Sequence, residues 1–88
     1  MLAISAFDAL LGEAQSRNLG VVAVEVYELV SGHQIPALEL GLYYDEISSI
    51  IDGLDESRRI STSLARAERL SSELSKIDKK FSVQVWLE

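Results

Sequence analysis

The sequence lacks cysteine and contains only one histidine and one proline. Without cysteine the chain has no disulfide, no thiol nucleophile and no thiolate ligand for a metal ion. The only histidine, His33, lies in a turn-like segment, and no serine stands in a second motif where this imidazole could activate it. A glycine-rich phosphate-binding loop is also absent. We therefore expect no catalytic residue, no metal site and no cofactor, and we predict that the protein is not an enzyme.

Long apolar segments are absent as well. No apolar run approaches the roughly 20 residues needed to cross a bilayer. The first five residues contain no base, and Asp8 interrupts the apolar residues around it, so we expect no signal peptide. The absence of cysteine is compatible with a reducing compartment. We predict a cytoplasmic protein without a membrane partner.

Basic residues are scarce before Ser57. Residues 1–56 contain ten acids and one base, Arg17, whereas residues 57–88 contain seven bases and four acids, and the net charge is −6. The isoelectric point near 4.6 disfavours direct binding to nucleic acid, because the overall field repels phosphate. The 88 residues have the length of a single domain, and we assign residues 1–88 to it.

Helical periodicity of apolar residues marks three segments. The first helix is predicted at about 4–17, with Ser5 as a capping residue. The second is predicted at about 45–56 and the third at about 63–78, with capping hydroxyls at 61–63. Because Ile60 continues the apolar stripe in phase, one long bent helix is the alternative for the last two. The inward residues are Phe7, Leu10, Leu11 and Ala14 in the first helix, Ile47, Ile50, Ile51 and Leu54 in the second, and Leu64, Ala67, Leu70, Leu74 and Ile77 in the third.

Three further segments have the composition of strands. Residues 21–30 are β-branched and apolar on both faces, which is typical of a central strand. A turn at 31–34 leads to a strand over 36–42, and Pro36 marks its beginning or an edge. Residues 81–88 alternate between apolar and polar. The sequence thus predicts a small two-layer α+β domain, α-β-β-α-α-β, with a three-stranded sheet in order 2-1-3 and two helices on one face.

The direction of the C-terminal strand depends on the two helices before it. If they form a hairpin, the strand runs parallel to the first strand, and if they form one helix it runs antiparallel. We favour the hairpin. The element order then resembles that of type II KH domains, which bind single-stranded nucleic acid through a basic GxxG loop. The corresponding segment here, Asp52 to Glu56, is acidic, so the resemblance implies a related topology without the phosphate-binding function.

The second face of the predicted sheet carries more apolar residues than two helices can cover. Strands lie about 4.8 Å apart and a helix is about 10 Å wide, so two helices fill one face of three strands. Either the first helix crosses the other face, or a second copy or a different protein covers it. The residues predicted on that face are Val21, Ala23, Tyr27, Leu29, Ile35, Ala37 and Trp86, with Glu25, Glu39, Ser82 and Gln84 at the rim.

Aromatic side chains on a sheet face are common anchors of protein interfaces. We therefore predict a non-enzymatic protein-binding or self-associating module, most simply a homodimer, with an interface formed by Tyr27, Leu29, Ile35, Ala37 and Trp86. The C-terminal strand contains no proline or lysine that would protect its edge, and this edge offers a second route to self-association.

Acidic side chains form a second candidate surface, made of Asp45, Asp52, Asp55 and Glu56. These residues either belong to a solvated helix face with local ion pairs, or they dock a basic protein. The alternative function is an acidic inhibitor, of the kind found in phages and mobile elements, that mimics nucleic acid and blocks a nucleic-acid-binding protein.

Overall fold

The computed structural model describes residues 1–88 and shows four strands, three α-helices and one 3-10 turn. The elements in chain order are β1 (Leu2–Ala3), α1 (Ile4–Ser16), β2 (Val21–Val30), β3 (His33–Pro36), the 3-10 turn (Leu38–Leu40), α2 (Tyr44–Ile51), α3 (Glu56–Ser75) and β4 (Phe81–Leu87). The prediction of a small α+β domain is confirmed. No helix combines the length and the apolar character that crossing a membrane requires.

The sheet has four strands in the order β1-β4-β2-β3, and all neighbours are antiparallel. The predicted neighbours of β2 are therefore correct, but the prediction of only three strands is wrong. The short β1 adds a fourth strand by pairing Leu2 with Val83 and Ala3 with Ser82. Because a strand of two residues has no periodic pattern, β1 could not be predicted from the sequence.

The C-terminal strand β4 runs antiparallel to β2, so the favoured parallel arrangement is wrong. Gly53, with φ of +81°, follows α2 after only eight helical residues. Asp55 then caps α3 by accepting a hydrogen bond from the backbone N–H of Arg58 at 2.9 Å. A helix of 20 residues spans about 30 Å, which carries the chain past the whole sheet in one pass.

The predicted strand over 36–42 is replaced by β3, the 3-10 turn and a single bridge between Leu42 and Val24. The hydroxyl of Tyr43 donates to the backbone carbonyl of Leu38 at 2.8 Å and closes the turn. Gly41 makes room for this contact, because a Cβ there would lie 2.5 Å from the Tyr43 hydroxyl oxygen. The alternating leucines are consequently not equivalent, since Leu38 is 68% exposed whereas Leu42 is buried.

All three helices lie on the same side of the sheet and share one apolar core. Phe7 and Leu11 of α1 and Leu74 of α3 are almost completely buried together with Val24 and Val83 of the sheet. The prediction of two helices on this face is therefore wrong by one helix. The alternative in which the first helix crosses the opposite face is also wrong, because α1 packs against α3 and β4.

Two of the predicted helix caps are wrong as well. The residue before α1 is Ala3, which offers no side-chain cap, so Ser5 lies inside the helix. The serines at 61 and 63 lie inside α3, where their hydroxyls donate to backbone carbonyls one turn earlier.

Candidate protein-binding face of the sheet

The side of the sheet opposite the helices is not covered by any element of the chain. Directly paired residues of neighbouring strands point to the same side, so the strand register defines this face. We call it the open sheet face, and its residues within the strands are Ala3, Ala23, Glu25, Tyr27, Leu29, Gln34, Pro36, Ser82, Gln84 and Trp86.

Large apolar side chains on the open sheet face are exposed. Trp86 is 40% exposed and Leu29 is 37% exposed, and Tyr27 is half-buried between them along the sheet. Trp86 pairs with Ala23 at one end of β2, and Leu29 pairs with Gln34 near the hairpin at the other end. The structure thus brings together three of the five predicted interface residues.

The other two predicted interface residues, Ile35 and Ala37, lie on the helix side. Ile35 pairs with Glu28, which in turn pairs with the buried Phe81, and Ala37 belongs to the core. The prediction that they share a face with Tyr27 is wrong. The turn at Ser31 and Gly32 contains only two residues, both with positive φ, and this length sets the register that pairs Leu29 with Gln34 and Glu28 with Ile35.

Val21 also lies on the helix side, against the prediction. The register shifts between the pair Val21–Leu87 and the pair Ala23–Trp86, so Val22 is an extra residue in β2. Such a bulge reverses the side to which the preceding residue points. Val21 is therefore buried next to Leu87 at the core, and the open sheet face begins at Ala23.

Glu25 and Tyr27 form the polar centre of the open sheet face. The phenol of Tyr27 donates a hydrogen bond to the carboxylate Oε2 of Glu25 at 2.5 Å. This hydrogen bond raises the pKa of Tyr27 above its ordinary value, and the adjacent negative charge of Glu25 acts in the same direction. The phenol is therefore neutral at physiological pH, and the Glu25 carboxylate accepts its hydrogen bond.

Ser82, predicted at the rim, is instead buried near the start of β4, between β1 and β2. Its hydroxyl oxygen has no hydrogen-bond partner. A buried hydroxyl without a partner destabilises the fold. The neighbours paired with Ser82 on either side are Ala3 and Tyr27, and neither supplies a bond to it.

The outer edge of β4 is only partly protected. The strand β1 pairs with Ser82 and Val83, and no strand lies beside residues 84–87 on that side. The prediction of an exposed edge therefore holds for the second half of the strand only.

Three of the four acids of the second candidate surface lie at helix N-termini. Asp45 stands in the first turn of α2 and Glu56 in the first turn of α3, where acidic side chains interact favourably with the helix dipole. Asp55 caps α3 and also lies 3.9 Å from the Arg58 guanidinium. Asp52 instead follows the C-terminal end of α2, and together with Glu56 it lines a groove of about 550 Å³ beside Arg59. The positions of Asp45, Asp55 and Glu56 have a structural role that needs no partner.

No metal site is evident, since nowhere do three or more histidine, aspartate or glutamate side chains converge. Comparison with models of protein families, with curated proteins and with solved structures finds no match for this chain.

Proposed function

We propose that this chain is a non-enzymatic, self-associating module in which the open sheet face binds the same face of a second copy. The observation that carries the proposal is the exposure of Trp86 and Leu29 on a sheet side that no helix covers. The resulting homodimer has four layers, with the two sheets packed against each other in the middle and the helices on the outside.

The composition of β2 supports this proposal. An antiparallel sheet that faces water on one side shows polar residues at the outward positions of its strands. The outward positions of β2 are Ala23, Glu25, Tyr27 and Leu29, of which only Glu25 is charged. Apolar and aromatic residues at the remaining positions are typical of a surface that is buried in the functional assembly.

Charge limits the surfaces through which two copies of the chain can approach each other. The chain carries −6, so two copies repel each other through most of their surfaces. Between Ala23 and Leu29 the open sheet face contains one acid, Glu25. One base, Lys80, lies at the end of the face, where its backbone carbonyl accepts a hydrogen bond from the Leu29 N–H. Two molecules of the same sign can therefore approach each other best through this face.

The size of the face sets the expected affinity. The stretch of β2 from Ala23 to Leu29 is about 20 Å long, and three strands are about 14 Å wide, which gives about 300 Å² in projection per copy. Stable complexes usually bury about 800 Å² of accessible surface on each side. Because the projected area of the open sheet face is smaller than this, we expect a weak dimer whose population depends on concentration.

Sedimentation equilibrium over a range of concentrations tests the proposal. The expected mass is 9.7 kDa at low concentration and twice that value above tens of micromolar. Raising the salt concentration should weaken the dimer only modestly, because most of the interface is apolar and screening acts on its few ionic contacts alone. A monomer at every concentration up to the millimolar range would show that the open sheet face does not bind a second copy.

A further inference from the structure

We infer that the two copies pack with their strands antiparallel, so that the Lys80 end of one open sheet face covers the Trp86 end of the other. This inference rests on the proposed dimer and assigns its symmetry. It follows from the unequal chemistry of the two ends of the face.

One end of the face is acidic and aromatic. Trp86 pairs with Ala23 there, Glu25 is the next outward residue of β2, and Glu88 extends the ladder by exchanging two hydrogen bonds with Gly20. Glu88 itself lies on the helix side, because it lines the groove beside α2 and a Cβ on its partner Gly20 would face Ser63 and Ile60 of α3. This end of the face therefore combines an exposed indole with one carboxylate, that of Glu25.

The other end of the face is basic. Lys80 accepts a hydrogen bond at its carbonyl from the Leu29 N–H at 2.8 Å, so it continues β4 beside the last outward residues of β2. No ion pair occupies the Lys80 side chain, whereas Lys79, on the opposite side, lies 3.5 Å from Glu28. The ammonium group of Lys80 is thus free to meet a partner.

Symmetry allows two ways to stack two identical faces. A two-fold axis along the strands places like ends together, so that the two Lys80 side chains share one end and the two Glu25 side chains share the other. A two-fold axis across the strands places unlike ends together. In that arrangement the Lys80 ammonium of each copy lies over the indole of Trp86 and near the carboxylate of Glu25 of the other copy, so that it makes cation–π and ionic contacts.

The second arrangement also matches side-chain size along β2. With the axis across the strands, β2 stacks on β2 in the reverse direction. The small Ala23 of one copy then faces the large Leu29 of the other. Small residues opposite large ones let two packed layers interdigitate.

Chemical crosslinking tests the orientation, and the absence of natural cysteine makes the test clean. The variants Ala23→Cys and Leu29→Cys are prepared separately, mixed, and treated with a bismaleimide about 10 Å long, the spacing of packed sheets. The two positions lie about 20 Å apart along β2, so the reagent separates the two arrangements. Leu38→Cys, in the 3-10 turn outside the face, serves as the control.

The expected main product joins one Ala23→Cys molecule to one Leu29→Cys molecule. It should form in several-fold excess over the two products that join identical variants. A dominant Leu29→Cys–Leu29→Cys product would overturn the orientation and leave the dimer standing. A dimeric mass without any crosslinked product would overturn the orientation and the proposed face together. It would point to another surface, such as the free half of the β4 edge. A monomeric mass would overturn the proposed function itself.

A charge exchange provides a second measurement that does not depend on cysteine. Lys80→Glu should raise the dimer dissociation constant roughly tenfold, because it places a carboxylate against the acidic end of the other copy. The double variant Glu25→Lys with Lys80→Glu should recover most of the affinity. Failure of the double variant to recover, with both variants folded by circular dichroism, would contradict the antiparallel arrangement.

Discussion

The hydroxyl of Ser63 in α3 accepts a hydrogen bond from the backbone N–H of Val21 at the start of β2, with an N–O distance of 3.0 Å. The same hydroxyl donates to the carbonyl of Ile60 at 2.9 Å. Ser63 and Val21 are both buried. Gly20 makes the close approach feasible, because a Cβ there would lie 2.9 Å from the Ser63 oxygen. The long helix is thereby fixed to the bulged end of the central strand.

Removal of this hydroxyl should destabilise the fold. In Ser63→Ala the N–H of Val21 stays buried and loses its acceptor, which costs about 1–3 kcal/mol in the free energy of unfolding. Ser61→Ala is the matched control, since its hydroxyl also donates one turn back, to Arg58 at 3.2 Å, but is exposed. Urea unfolding should show a change within about 0.5 kcal/mol for the control. Equal losses in both variants would mean that the bond to Val21 contributes nothing.

The role of Ser63 illustrates where sequence reasoning failed. Serines ahead of an apolar stripe look like a helix cap, and the alternation of β2 places Val21 with Ala23. The true cap is Asp55, eight residues earlier, and the bulge at Val22 reverses Val21. Both facts depend on contacts between distant segments, which local patterns do not encode.

Elements with strong local patterns were predicted well. The first helix, the central β2 and the C-terminal β4 follow from composition and periodicity alone, whereas β3 begins within the predicted turn. Strand and helix widths predicted two helices on one face where there are three, and they left open whether the first helix or another molecule covers the second face. Its membership was correct for Tyr27, Leu29 and Trp86 and wrong for Ile35 and Ala37, since a register is set by turn length.

Trp86 should act as an interface anchor and not as a core residue. Because its side chain is 40% exposed in one copy, Trp86→Ala should shift the protein toward the monomer mass and lower the unfolding free energy of the monomer by less than the roughly 3–5 kcal/mol expected for a fully buried Trp. Leu38→Ala removes a side chain that is 68% exposed and outside the face, so it should leave the mass unchanged. A lower melting temperature without a change of mass would assign Trp86 to the core.

Ser82 provides the opposite case to Ser63. Its hydroxyl is buried without a partner, so Ser82→Ala removes a polar group whose burial is uncompensated. We expect the free energy of unfolding to rise by about 1 kcal/mol, measured in urea at a concentration where the protein is monomeric. Replacement of serine by alanine is thus expected to lower the free energy of unfolding at position 63 and to raise it at position 82. A loss of stability in Ser82→Ala would show that the hydroxyl has a partner in solution, such as an ordered water.

The hydrogen bond between Tyr27 and Glu25 should be visible in the titration of the phenol. The pKa of Tyr27 is raised above its usual value near 10, first by this bond and then by burial and by the charge of Glu25. Glu25→Gln should therefore lower the pKa of Tyr27. Tyrosinate absorbance in a background of Tyr43→Phe and Tyr44→Phe measures this group alone. Equal pKa values with and without Glu25 would contradict the bond.

Deprotonation of Tyr27 should lower both the stability of the fold and the affinity of the dimer in a defined range of alkaline pH. Because the pKa of Tyr27 is higher in the folded chain than in the unfolded chain, its contribution to stability is complete below pH 10 and is lost as the pH rises through the folded pKa. Above that value the phenolate adds a second negative charge beside Glu25 on the open sheet face. We expect the dimer to dissociate in this alkaline range, and Tyr27→Phe to remove that part of the pH dependence in sedimentation experiments. A dimer that dissociates at the same alkaline pH in Tyr27→Phe would assign the effect to other groups.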